Sequence, residues 1–222
     1  GAKYLSLADY SRTVIESQAL LVDFRKILPV SEKIAEMLSK GNSIRIKSDL
    51  GTDLTCDIKG RTGNSAPGFC RKPGDISSPP DAESNIALIE DGSNGTLIVD
   101  GSIPCDELGL LNSPQELTIE NGKVVKIRGD KASILNLLFD GIKDPASRVL
   151  AEFGIGLNPR AQLTGAMLED EGCLGTIHIG IGAIVVLGGV NSVPFHLDHI
   201  INRPSVWIDE TIIMSRGNLE GV

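Results

Sequence analysis

LGTIHIGIGAIVVLGGVNSVPFHLDHI, residues 174–200, carries all three histidines of the 222-residue chain: His178, His196 and His199. Its first part has the apolar–polar alternation of a buried strand, Thr176–Ile181, with one imidazole inside it. Side chains on an extended chain alternate with period 2, so the first and third residues of His196-Leu197-Asp198 share a face. His196 and Asp198 can therefore reach one ion together, with His178 brought in from a neighbouring strand. Two imidazoles and a carboxylate suit zinc or another first-row divalent metal, and are also the ligand set of non-haem Fe(II) sites. The plainer reading of a histidine in an apolar strand is a hydrogen-bonded core residue.

Working outward, the composition is that of a globular chain, 41% hydrophobic and 23% charged. Its length fits one large domain, or a domain with a small helical appendage. A net charge of −8 without any basic run argues against a nucleic-acid partner. The apolar run at 177–190 is broken by glycines and carries a histidine, so it reads as core and not as a membrane span. The opening GAKYLSLADY has no secretory or lipidation pattern. Cys56, Cys70, Cys105 and Cys173 form no C-x-x-C pair, which implies reduced thiols in a cytoplasmic protein.

The pattern of elements is α+β: a β-rich, largely antiparallel domain with N-terminal helices. Residues 5–40 carry three-and-four spacing through Ala8, Val14, Ile15, Ala19, Leu20, Val22 and Phe24. Ser31 caps a helix over 32–39, which Gly41 ends. From Ser43 the period changes to 2, and Ile44 and Ile46 share a face in a hairpin with residues 52–58. Gly60–Pro80 is a Gly/Pro/Ser-rich loop long enough to be a lid or site loop. Strands are expected over 86–89, 96–99, 117–120, 124–128, 152–157, 206–209 and 211–215. Asn121-Gly122 supplies the strongest hairpin turn. Asp130 is expected to cap a helix through Phe139, with a further helical turn at 145–150 and a short helix at 162–170. The division is a helical lead-in, 1–42, followed by a metal-binding domain, 43–222. The lead-in has no domain of its own to pack in, so we expect either a preceding region in the longer protein or helices that act as a strap.

Carboxylates near the histidine strand are the next candidates. Glu152 opens the strand before Gly154, and Glu169-Asp170-Glu171 precedes His178. Three acids at a helix C-terminus oppose the macrodipole, yet a solvated helix end also accounts for them. Glu83 and Glu90, taken singly, read as surface acids. The chain has no P-loop, G-x-G-x-x-G or G-x-S-x-G motif.

Four blocks carry a resemblance. They are GTDLTCDIKGR, KPGDISSPPDAESNIALIEDGSNGTLIVDGSI, AEFGIGLNPRAQLTGAMLEDEGCLGTIHIGIG and GGVNSVPFHLDHIINRPSVWIDETII. In this order they resemble the C-terminal domain of the aminopeptidase T / aminopeptidase S metallopeptidase family, whose superfamily includes 2,5-dihydroxypyridine dioxygenases. The resemblance implies a homodimer and two divalent ions, held by Glu83, Glu152, His178, His196 and Asp198. Ala82 and Leu88 depart from the glycine and proline of the family's first block. The tyrosine that follows the first histidine in the peptidases has no counterpart in GIGAIVV, residues 180–186.

Read this way, the chain is expected to be an aminopeptidase-type hydrolase acting on a peptide or small-molecule substrate. Zn²⁺ or Co²⁺ would activate water, and Glu171 would move the proton. Two alternatives stand beside it. One is a non-haem Fe(II) ring-cleaving dioxygenase using His178, His196 and Asp198; the other is a catalytically inactive dimerising domain.

Overall fold

The structure is a computed structural model and describes residues 1–7 and 10–222; Ala8 of the expected helical pattern lies outside the described residues. The chain begins with β1 (Tyr4–Leu5), one helical turn α1 (Arg12–Ile15), and two 3-10 turns at Gln18–Leu21 and Phe24–Lys26. The full helix α2 (Leu28–Lys40) follows. It starts earlier than expected because Pro29 sits in the first turn, where its missing N–H costs nothing. Ser31 is consequently inside α2 and not its cap; its buried hydroxyl meets Ser65 and the Glu83 carbonyl. Gly41 ends the helix, donating to the Met37 and Leu38 carbonyls.

β2 (Ser43–Lys47) and β3 (Asp53–Asp57) form the expected hairpin, with Ile44 and Ile46 facing inward. The loop over 60–80 contains two short strands, β4 (Asn64–Ala66) and β5 (Ile76–Ser77). β6 (Glu83–Ala87) begins three residues before the expected strand; its five residues are all buried, so no alternation marks it. β7 (Ser93–Val99), β8 (Ser102–Ile103) and β9 (Gly109–Leu110) come next. β10 (Gln115–Glu120) and β11 (Lys123–Arg128) close around Asn121 (φ 48°) and Gly122 (φ 74°), the two left-handed positions a tight hairpin turn needs.

α3 (Ala132–Gly141) has no side-chain cap, because Asp130 is engaged by Ser113 and Gln115 instead. The turn after it is 3-10, Pro145–Arg148, capped by Asp144. β12 (Leu150–Gly156), a single turn α4 (Met167–Asp170), β13 (Thr176–Gly182) and β14 (His196–Asn202) follow. β15 (Ser205–Ile208), β16 (Thr211–Ser215) and β17 (Asn218–Leu219) end the chain. The expected helix over 162–170 shrinks to α4 because the Asp170 carboxylate takes the Thr164 and Gly165 N–H groups, folding that segment into a loop.

These strands make two main sheets, ordered β11-β10-β7-β3-β2-β15-β16-β17 and β14-β13-β12-β6-β4, with antiparallel pairing throughout both. A single core joins Ile44, Ile46, Leu54 and Leu97 of the first to Ile86, Phe153, Ile155, Ile177 and Ile179 of the second. The sheets therefore pack face to face. Each such side chain contributes about 1.5–3 kcal/mol by leaving water. The fold is β-rich α+β, with its helices few and short.

The alternation in the second sheet is what places the chemistry. Phe153 and Ile155 on β12, and Ile177, Ile179 and Ile181 on β13, enter the core. Glu152, Gly154 and Gly156, with His178, Gly180 and Gly182, therefore take the opposite face. A one-residue slip in pairing would drive the imidazole into the core and the isoleucines out, so burial pins the register. All four cysteines are free, and no helix among the described residues is long and apolar enough to cross a membrane.

Candidate metal centre

Four adjacent strands bring acids and imidazoles to this outward face. Glu152 on β12 lies opposite Gly180 on β13, which in turn faces Asp198 on β14. His178 lies opposite Gly154, and Gly154 faces Asn85 on β6. Each bulky polar group thus stands beside a glycine on the neighbouring strand. A Cβ at Gly154 would fall 2.1 Å from His178 Cε1 and Nε2 and 2.8 Å from Glu83 Oε2. One at Gly180 would fall 2.6 Å from His196 Cε1 and 2.9 Å from Glu152 Cβ. Real Cβ contacts do not come this close, so both glycines are the floor over which the imidazoles fold. They are required for space, since their backbones are ordinary strand.

His178 Nε2 lies 3.1 Å from Glu83 Oε2 and 3.9 Å from Glu152 Oε1. His196 Nε2 lies 3.2 Å from Asp198 Oδ1 and 3.6 Å from Glu152 Oε2. Two sets of converging donors result, Glu83–Glu152–His178 and Glu152–His196–Asp198, and Glu152 belongs to both. The groups are held from behind. Asn85 Nδ2 donates to Glu83 Oε1 at 2.6 Å, leaving Oε2 for the site. His196 Nδ1 donates to the Ala183 carbonyl at 2.7 Å, so its Nε2 lone pair faces inward.

Electrostatics describe a site with more negative charge than the protein itself balances. Burial would lower His178, yet the Glu83 and Glu152 carboxylates raise it well above the usual imidazole value. Burial acts the same way on His196, and Asp198 overrides it, raising the ring to about 9. Burial would raise Asp198, but His196, His178 and a hydrogen bond from Glu171 hold it well below the carboxylate range. Glu152 is raised, mainly by burial. Asp81 and Glu171 are raised further, first by burial and then by Glu83 and Asp198 respectively.

This donor set fits a divalent cation. Glu83 Oε2 is buried and accepts no hydrogen bond although His178 Nε2 is 3.1 Å away. Five carboxyls and two imidazoles line one cavity of ≈ 300 Å³: Asp81, Glu83, Glu152, Glu171, Asp198, His178 and His196. All the residues singled out from the sequence for metal or proton transfer are in that wall. His199 is not. It stands on the core side, stacked on Phe139 at 6.4 Å, and donates through Nδ1 to the Leu197 carbonyl. Burial lowers it to about 4, so it is a neutral core residue.

Other acids take structural roles that spacing alone did not reveal. Glu169 and Asp170 are buried, bonded to Ser17 and Ser102, so the acidic triplet is not a solvated helix end. Glu83 is likewise buried and not a surface acid. Asp81 and Asn85 were missed. Both sit two residues from Glu83 on an extended chain, and that period-2 relation was the available signal.

Residues 25–221 match the profile of the family described as NicX, 2,5-dihydroxypyridine 5,6-dioxygenase. The chain belongs to this dioxygenase family. A 2,5-dihydroxypyridine 5,6-dioxygenase of Pseudomonas putida is 25% identical over 194 residues, 82% of this chain and 55% of the relative. The chain therefore spans about half the length of that curated relative. The solved 2,5-dihydroxypyridine dioxygenase of Pseudomonas putida superposes with TM-score 0.86 at 21% identity, covering 99% of this chain and 65% of that one. Wild-type AmpT from Thermus thermophilus superposes with TM-score 0.75 at 20% identity, covering 91% and 56%. The fold is thus common to AmpT and the dioxygenase.

The dioxygenase family match corrects the expected aminopeptidase. A hydrolase, peptidase or metalloprotease reading is not supported. The physical reason is that the resembling blocks encode a fold common to both proteins, and a fold does not by itself distinguish hydrolysis from oxygenation.

Proposed function

We propose that this chain is the metal-binding part of a non-haem Fe(II) ring-cleaving dioxygenase acting on a dihydroxypyridine-type small molecule. Membership of the dioxygenase family is the observation that carries this reading, and the buried acid–imidazole face supports it. Glu152, His196 and Asp198 would hold the iron, with His178 and Glu83 on the other side of the shared Glu152 as further ligands or supports. A bound Fe(II) supplies redox chemistry and a common centre for dioxygen and a phenolic substrate. The protein's own contribution is arrangement. The Ala183 carbonyl fixes the His196 tautomer, and Asn85 turns Glu83 inward. Glu171 shares the cavity wall with Asp198, and burial and the Asp198 charge raise its carboxyl, so it would be the group that holds a proton there. Assembly as a homodimer, and the partition into 1–42 and 43–222, belong to the same proposal.

The test is anaerobic loading with Fe(II), then oxygen uptake on adding 2,5-dihydroxypyridine. The expected result is one dioxygen consumed per ring opened, with loss of the ring's ultraviolet absorption. Stoichiometric iron binding with no uptake on any dihydroxypyridine would overturn the substrate assignment.

A further inference from the structure

The segment between β13 and β14 roofs the metal cavity, with Val186 and Leu187 in its wall. It is fastened at two levels. Its base is tied by the Ala183 N–H to the Phe195 carbonyl at 2.7 Å, and by Asn191 Nδ2 to the Gly182 carbonyl at 2.6 Å. The base includes the carbonyl that holds His196. The tip has little apolar burial. Val185, Val186 and Val190 are 54%, 94% and 78% exposed, and Leu187 is only partly buried on a small cluster of Ala87, Ala151 and Ile184. The tip is held by charge instead. Arg61 donates to the Gly188 carbonyl at 2.6 Å and to Glu90 Oε2 at 2.6 Å. Glu90 Oε1 accepts the Val190 N–H at 2.7 Å. Arg61 and Glu90 are both shielded, at 15% and 22% side-chain exposure, so this is not a solvent-screened surface pair. Gly189 is required beneath it, since a Cβ there would fall 2.1 Å from Ile184 Cγ2.

We propose that Arg61 and Glu90 form a latch that holds the 185–190 tip closed over the metal cavity, setting the rate at which ions and ligands pass without contributing to the site's affinity. Neither residue lines the cavity. The base of the roof, which orients His196, has its own anchors, so releasing the tip leaves the ligand geometry in place. A latch that gates passage accelerates entry and exit by the same factor. This inference rests on the metal reading above, and the experiment separates the two.

Full-length Arg61→Ala and Glu90→Ala variants would be compared with the parent in Co²⁺ loading, and in chelator-driven Co²⁺ release, by stopped flow. Loss of charge-assisted bonds at the tip is expected to speed both rates by roughly 10-fold or more, with Kd unchanged within about twofold. Arg61→Lys, which keeps the charge but not the fork, should fall between. Hydrogen exchange at the Val190 amide should rise in both alanine variants, with or without metal. Unchanged rates and unchanged exchange would refute the latch. Faster release with unaltered loading would also refute it, since Arg61 and Glu90 would then be supporting the ion itself. If the parent binds no Co²⁺, the metal reading fails, while the exchange measurement still decides whether the tip is latched. Thermal midpoints would identify a variant that fails to fold, and the other would carry the test.

Discussion

Glu152→Gln is expected to abolish divalent-metal binding in an otherwise folded protein, lowering affinity by roughly 100-fold or more. A lost supporting partner already costs a metal site about 10–100-fold, and Glu152 is more than that. It is the one carboxylate common to both donor sets, with Oε1 facing His178 and Oε2 facing His196. Glutamine keeps the volume and presents an amide where a ligand oxygen stood. The fold should tolerate the change, because burial already raises Glu152 and neighbouring carboxylates oppose its ionisation. Removing that charge from a face crowded with acids relieves repulsion. Calorimetric titration with Co²⁺, or with Fe(II) under anaerobic conditions, measures the loss. A glutamine variant that binds with parental affinity would show that Glu152 is a structural acid.

The second large effect is expected from the smallest substitution. Gly154→Ala adds a single methyl group, yet its Cβ would stand 2.1 Å from His178 Nε2 and 2.8 Å from Glu83 Oε2. His178 is enclosed, with 2% of its side chain exposed, and the space open beside it is the metal cavity itself. It must leave its position or push β12 from β13. Overpacking of this kind costs about 1–3 kcal/mol of stability. Metal affinity is the sensitive quantity, with an expected fall of roughly 100-fold. Gly180→Ala should act on His196 in the same way. Both variants should retain the parental far-ultraviolet circular dichroism. Parental metal affinity in Gly154→Ala would mean that His178 does not contribute from the position described.

The glycines also show how far the sequence was legible. Period-2 alternation around His178, and the Asn121-Gly122 turn, announce antiparallel strands because the backbone has few ways to satisfy them. A glycine between two isoleucines looks like punctuation in one strand. Its purpose appears only when the neighbouring strand lays an imidazole across it. β6 escaped its true start for a related reason: a strand buried on both faces has no alternation to read. Ser31 and Asp130 have the residue types of helix caps, but tertiary partners claimed both hydroxyl and carboxylate. Such competition is invisible without the neighbours. Glu83 was singled out only through a family block, and such blocks carry the fold common to AmpT and the dioxygenase. That is why the face was legible and the reaction was not.

The central claim is that strands far apart in sequence assemble a cation site from His178, His196, Asp198, Glu83 and Glu152. Anomalous diffraction at the iron edge, from crystals grown anaerobically with Fe(II), tests it most directly. The expected result is strong density in the cavity between β6, β12, β13 and β14, within coordination distance of His178 Nε2 or His196 Nε2 and of Glu152. Iron density elsewhere on the protein, or none at full soaking concentration, would contradict it.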